Sequence, residues 1–208
     1  MLYNNFIDPQ PTRPGGSSMT VRVITISGEV ASGKSSVAAE LQRLLPGWKR
    51  INTGQRFRDF CESKGMSIQQ VSEIDAEIHQ EFDASQKALI EHETHAIIEG
   101  RLAGWLGREV ADAYRVFCFA DFDVRVRRYM GRDNASLDQA EEDIKERDAK
   151  DVIKFRNVYG IEDYRNPVFY SLMLDTTKMS ARELAEIIIG NLITANLLHI
   201  HQSDACSP

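Results

Sequence analysis

The stretch from Val21 to Leu45, VRVITISGEVASGKSSVAAELQRLL, constrains the fold more than any other in the chain. Val21 to Ile26 is short, apolar and β-branched, the pattern of a strand buried on both faces. Further on, Val37, Ala38, Leu41, Leu44 and Leu45 recur at helical spacing and predict an amphipathic helix packed on that strand. Between the two lies Gly28-Glu29-Val30-Ala31-Ser32-Gly33-Lys34-Ser35, which satisfies G-x-x-x-x-G-K-S/T, the phosphate-binding loop. The spacing has a physical reason. Glycines allow a tight turn and close backbone approach, while successive N–H groups and the helix N-terminus direct positive charge at a phosphate. Gly28 to Ser36 are therefore the expected cradle of a nucleoside triphosphate, ATP. Lys34 should reach its β- and γ-phosphates, and the Ser35 hydroxyl should ligate Mg2+.

Beyond Pro46-Gly47, Arg50 to Asn52 predicts a second strand, followed by a helix to Lys64 that Gly65 ends. Ile74, Ile78, Phe82 and Leu89 mark a long amphipathic helix with acids between them. His95 to Glu99 and Tyr114 to Ala120 read as strands three and four, with a basic helix from Asp123 to Arg132 next. Asp138 to Val158 is a densely charged helix, Leu172 to Leu174 a fifth strand, and Ser180 caps a last helix through about Leu198. Strands alternating with helices imply an α/β fold, a doubly wound parallel five-stranded sheet flanked by helices.

At 208 residues the chain suits one domain. We expect that domain over residues 19–199, after a proline- and glycine-rich disordered leader over 1–18, with Met19 as an alternative start, and before a disordered tail over 200–208. The net charge of −6 argues against general affinity for nucleic acid or anionic membrane, so any phosphate site must be built from local arginines. Cys61, Cys118 and Cys206 form no C-x-x-C pair and suit free thiols in a reducing compartment. With no signal sequence or membrane-length apolar stretch, a cytoplasmic monomer acting on small molecules is expected.

Phosphoryl transfer gathers negative charge on the moving group and calls for several converging guanidinium groups. Thr53-Gly54-x-x-x-Arg58 follows the second strand, Glu99-Gly100-Arg101 follows the third, and Arg128 and Arg132 share a helix face after the fourth. In these motifs, over about residues 20 to 190, the chain resembles the nucleoside monophosphate kinases, and most closely the cytidylate kinases. The resemblance implies a P-loop kinase fold with small mobile acceptor-binding and lid segments, moving the γ-phosphoryl group of ATP to CMP or dCMP with Mg2+. It places Thr53, Gly54 and Arg58 at the acceptor phosphate, with Arg101, in Ile-Glu-Gly-Arg-Leu-Ala-Gly-Trp, as a second clamp. Arg128 resembles the arginine that stacks on the donor adenine, and Arg132 the one that reaches the ATP phosphates. Arg147-Asp148-x-x-Asp151-x-x-Lys154 is similar to a segment that closes over the acceptor nucleoside, although the family usually carries arginine where this chain has Lys154. Lys34, Arg58, Arg101, Arg132 and Arg147 would then surround the transferred group.

Arg125 and Arg127 read as solvent-exposed or as supporting residues, and Gly131 to Ala140 contains no long lid. His199-x-His201 supplies two ligands, too few for a closed metal site. Two other readings remain open at this point. The acceptor could be AMP, UMP or a non-nucleotide alcohol, for which Glu99 and Asp59 are the base candidates. The chain could also be a switch protein that hydrolyses ATP slowly, although a switch has no use for the anion site at Thr53 to Arg58 and Arg101.

Overall fold

Strand β1, Val23–Gly28, is buried along its whole length because it runs through the middle of the sheet. It pairs in parallel with β3, Ala96–Glu99, on one side and with β4, Ala113–Phe119, on the other. The computed structural model describes residues 20–63, 65 and 76–198, with the side chains of the third helix described from Gln80 onward. The remaining strands are β2, Lys49–Asn52, and β5, Leu172–Asp175, giving the order β2-β3-β1-β4-β5 with all pairs parallel. The helices are α1, Lys34–Leu44; α2, Thr53–Ser63; α3, Ala76–His92; α4, Ala103–Leu106; α5, Phe122–Asp133; α6, Leu137–Tyr159; and α7, Ala181–Thr194. From β1 the chain winds outward to β2 and back to β3, then crosses to β4. The crossing leaves a crevice at the carboxyl ends of β1, β3 and β4, where ligands of such sheets bind.

Two apolar layers sandwich the sheet. Val37, Ala38 and Leu41 of α1 and Leu184, Ala185, Ile188 and Leu192 of α7 cover Ile24, Ile26, Val116 and Cys118. Truncating a side chain as enclosed as Leu41 to alanine costs about 2–5 kcal/mol, so this face anchors the loop that enters α1. On the other face, Val23, Ile98 and Phe117 pack against Ile90, Leu106, Phe155, Tyr164 and Tyr170. A third, smaller cluster joins Val30 of the phosphate loop to Val126 and Tyr129 of α5 and Ala140 and Ile144 of α6.

The expected five-stranded parallel α/β sheet is the one observed. The departures are local. The final helix stops at Thr194, short of Leu198, because Asn196 takes a left-handed conformation and turns the chain back. There the Leu197 carbonyl accepts a 2.7 Å hydrogen bond from the Val21 amide, tying the two ends of the described chain together. Helix α4 was not anticipated, since four residues are too few to show a period. Asn134, Ala135 and Ser136 alone join α5 to α6, consistent with the missing long lid. Ser136 caps α6 by accepting from the Gln139 amide. The leader, Met19, Lys64, Ile74, His199, His201, Cys206 and the tail lie outside the described residues.

Candidate active site

The loop after β1 is shaped by two glycines. A Cβ on Gly28 would lie 2.6 Å from Ser32 Oγ and even closer to the Cys118 carbonyl oxygen, so the backbone passes β4 at a distance no other residue permits. Gly33 has φ of +81° and sits at the N-cap of α1, where its carbonyl accepts from the amides of Ser36 and Val37. No side chain caps this terminus and no acid lies in its first turn, which leaves its amides and the positive end of the helix dipole directed at an anion. Ala31 also has positive φ, at +56°, an uncommon conformation for a residue with a Cβ and one that recurs at ligand clamps. Ser32 is buried, while Ser35 and Ser36 are exposed on the first turn of α1.

Residues after β5 hold the loop from outside. Thr176 Oγ1 donates to the Ser32 carbonyl at 2.7 Å, and Arg128 donates to Thr176 Oγ1 at 2.9 Å and to its carbonyl at 2.6 Å. Arg128 therefore lies against the loop, with Nη1 3.4 Å from where a Cβ of Gly33 would stand. Lys34 Nζ reaches the Glu29 carbonyl at 3.5 Å. Burial, reinforced by the charges of Arg101 and Arg147, brings its ammonium down to about 8. The same enclosure pushes the neighbouring Cys118 thiol up to about 12.

Opposite the loop, the carboxyl ends of β2 and β3 lock together. Thr53 Oγ1 donates to the Glu99 carbonyl at 2.8 Å, and Gly100 is glycine because a Cβ there would overlap that hydroxyl. Glu99 is 1% exposed and takes the Arg50 guanidinium on Oε1, while Oε2 has no hydrogen-bond partner among the described residues. Arg101 donates to Asp151 of α6 and lies 3.6 Å from Asp148 Oδ1; Lys154 lies 3.4 Å from Asp151. Arg147 is exposed on α6, with its guanidinium against the Tyr129 hydroxyl.

Of the residues singled out from sequence, Lys34, Arg101 and Arg128 gather around the loop, and Arg147 stands exposed beside Tyr129. Arg58 and Arg132 do not join them in this arrangement. Arg58 is exposed beside Gly54 and donates to Gln55, and Arg132 is exposed, pairs with Asp133 and lies over the Tyr129 ring. Arg127 is exposed as expected, but Arg125 is not: it is 4% exposed, between Glu29 and Asp148. The signal for Arg125 was present in the chain, since residues 125, 128 and 132 follow the i, i+3, i+7 rule for one helix face. Asp148 stood inside the Arg147 to Lys154 motif without a role of its own, and Thr176, which joins elements far apart in sequence, carried no signal.

Residues 46–178 match the model of the cytidylate kinase-like family. The chain belongs to that family. A cytidylate kinase of Thermoplasma acidophilum is 34% identical over 82% of this chain and 91% of its own length. One from Thermococcus sibiricus is 37% identical over 75% of this chain and 80% of its own. Among solved structures, shikimate kinase from Acinetobacter baumannii superposes with a TM-score of 0.56 at 18% identity, covering 86% of this chain and 97% of that one, a likeness of fold. The family match spans the chain from β2 to β5, including α2, α5 and α6. Among the described residues no helix is long and apolar enough to cross a membrane.

Proposed function

We propose that this member of the cytidylate kinase-like family transfers the γ-phosphoryl group of ATP to CMP or dCMP. One observation carries the reading beyond the family match: Arg101 from the end of β3 lies 3.6 Å from Asp148 of α6, whose same oxygen accepts from the Val30 amide of the phosphate loop, so a second cationic group stands beside the donor cradle. A switch that only hydrolyses ATP has no need of that group, whereas transfer between two anionic nucleotides does. The acceptor oxygen is already ionised as a phosphate, so no general base is required. The chain's task is to position the two phosphates and to stabilise charge between them.

In this reading Gly28 to Ser36 hold the donor phosphates, Lys34 spans the β- and γ-phosphates, and Arg128 and Arg132 attend the donor. Thr53, Gly54, Arg58 and Arg101 hold the acceptor phosphate, with Arg147, Asp151 and Lys154 at the acceptor nucleoside. Arg58 and Arg132 reach the transferred group as the acceptor segment at Thr53 to Arg58 and the segment from Arg147 to Lys154 close over the nucleotides, excluding water that would hydrolyse ATP. The residues also fit Mg2+. The Ser35 hydroxyl and the unpartnered Oε2 of buried Glu99 are hard oxygen donors at the carboxyl edge of the sheet, suited to a cation shared with substrate phosphates. When bound, the ion neutralises charge on the β- and γ-phosphates.

The test is ADP release from ATP with Mg2+ against CMP, dCMP, UMP, AMP and GMP. CMP and dCMP should give the highest kcat/KM; a purine monophosphate at the top, or ATP hydrolysis without any acceptor dependence, would overturn the reading. We further read the chain as a cytoplasmic monomer, which sedimentation of the purified protein tests for its oligomeric part.

A further inference from the structure

Arg125 is the most enclosed guanidinium among the described residues outside the acceptor and donor sets, and it lies directly beneath the phosphate loop. Its Nη2 donates to Asp148 Oδ2 at 2.5 Å, and its Nη1 stands 3.1 Å from Glu29 Oε2. Those two carboxylates sit on the two parts that must meet for transfer. Glu29 is the second residue of the phosphate loop, and Asp148 is on α6. Asp148 has two more neighbours of the same kind. Its Oδ1 accepts from the Val30 amide of the loop at 3.4 Å and lies 3.6 Å from Arg101.

A purely stabilising role explains these facts poorly. Removing a guanidinium from water is costly, and it is offset only when all its donors find acceptors. Arg125 Nε has no hydrogen-bond partner among the described residues, and Nη1 meets Glu29 without hydrogen-bond geometry. Burial holds the Glu29 carboxyl above its usual range, against the opposing charge of Arg125. The surroundings are apolar: Val30, Val126, Tyr129, Ala140 and Ile144 form a cluster there that a methionine or leucine would complete at lower cost. What an aliphatic residue could not do is fix the direction and distance between one carboxylate on the loop and another on the helix.

We propose that Arg125 is a positioning residue that, through Glu29 and Asp148, couples the phosphate loop to α6 and so to Arg101 and Asp151 on the acceptor side. It touches neither nucleotide. Donor phosphates settling on the loop move or stiffen Glu29 and Val30. Arg125 and the Val30 amide pass that constraint to Asp148, which in turn sets how tightly α6 holds Arg101. The proposal rests on the phosphate loop being the donor site and is independent of which monophosphate is the acceptor.

The experiment uses full-length wild type, Arg125→Lys, Arg125→Gln and Asp148→Asn, with a non-hydrolysable ATP analogue and Mg2+ as the probe. Amide hydrogen exchange is followed over residues 144–155 of α6 with and without the analogue. In wild type the analogue should slow exchange there by about fivefold or more, the low end of ordinary coupling between sites. In Arg125→Gln and Asp148→Asn the slowing should fall within about twofold of none, with analogue affinity changed less than about threefold and Arg125→Lys intermediate. Arg125→Lys keeps the charge, and so serves as the folded variant should Arg125→Gln prove unstable. Full transmission to α6 in folded Arg125→Lys and Asp148→Asn would overturn the proposal, as would no transmission in wild type. Failure of the acceptor assay would instead strike the functional reading and leave this result standing.

Discussion

Arg101 and Asp151, one closing β3 and the other on α6, are each other's partner: the guanidinium of the first donates to the carboxylate of the second across the crevice. On the proposed reading, an acceptor phosphate arriving at Arg101 must compete with that carboxylate or share the arginine with it. Both side chains are largely removed from water, at 19% and 13% exposure, so the exchange is between strong partners.

Arg101→Ala should therefore do two things that Arg58→Ala does not. Each substitution should raise the acceptor KM and leave donor affinity within a few-fold. Arg101→Ala should in addition strand Asp151 and lower Tm, by about 2–4 °C for each kcal/mol lost. Arg58 is exposed and should leave Tm unchanged. Steady-state kinetics beside thermal melts separate the two; equal melting of both variants would show that the Arg101–Asp151 pair contributes nothing to the fold.

Asp151→Ala should reduce kcat/KM for CMP by roughly tenfold to more than a hundredfold, the range of one lost charge-assisted hydrogen bond. The loss for UMP should be smaller if the exocyclic amine of cytosine is what the carboxylate accepts from. Lys154→Arg should improve CMP binding, because a planar guanidinium offers two parallel N–H donors in a fixed fork, a bidentate geometry that the rotatable donors of an ammonium do not hold. The measurement compares wild type with both variants on CMP, dCMP and UMP; unchanged constants throughout would remove α6 from the acceptor site.

Lys34→Met should lower turnover by at least about a hundredfold, roughly 2.7 kcal/mol of transition-state stabilisation. Stability should hold or rise, since a desolvated ammonium is replaced by an apolar chain of similar length. Turnover and melting on the same preparation check both halves.

With Lys34 brought down to about 8, donor binding should weaken as pH rises through 8, because the neutral amine offers the phosphates no charge. The sign for stability is opposite. Between about 8 and the unfolded value of 10.5 the unfolded chain binds the extra proton, so this group makes the fold more stable as pH rises across that window. A phosphate beside Lys34 restores its affinity for the proton, so binding above pH 8 should take up a proton. Calorimetric titration of an ATP analogue in two buffers of different ionisation enthalpy measures that uptake directly.

The central strand, the loop and α1 were legible because local rules agree there: β-branched run, glycine spacing and helical period all describe one unit. That the sheet is parallel was legible from the alternation of strands and helices alone; the order of its strands was not. The Arg101–Asp151 pair was not, since both residues were read for what they offer a nucleotide, and nothing in the chain shows two residues fifty positions apart meeting. Arg125 was left between an exposed and a supporting role because a basic residue in a charge-rich helix is most often solvated; only the third dimension puts Glu29 and Asp148 on either side of it. The end of α7 was missed because no glycine or proline follows closely on Thr194 to mark it, and Asn196 supplies the left-handed turn instead.

An open sheet has two free edges, and here both are four residues long, β2 and β5. On β2 the edge carries Lys49 and Arg50, each held by an acid, Glu93 and Glu99. A strand so short and so charged is a poor template for a strand from another copy. The arginine that keeps Glu99 in place at the crevice thus also guards the flank of the sheet. Replacing Lys49 and Arg50 with threonine and valine would free Glu99 at the end of β3 and at the same time offer the molecule a surface on which to aggregate.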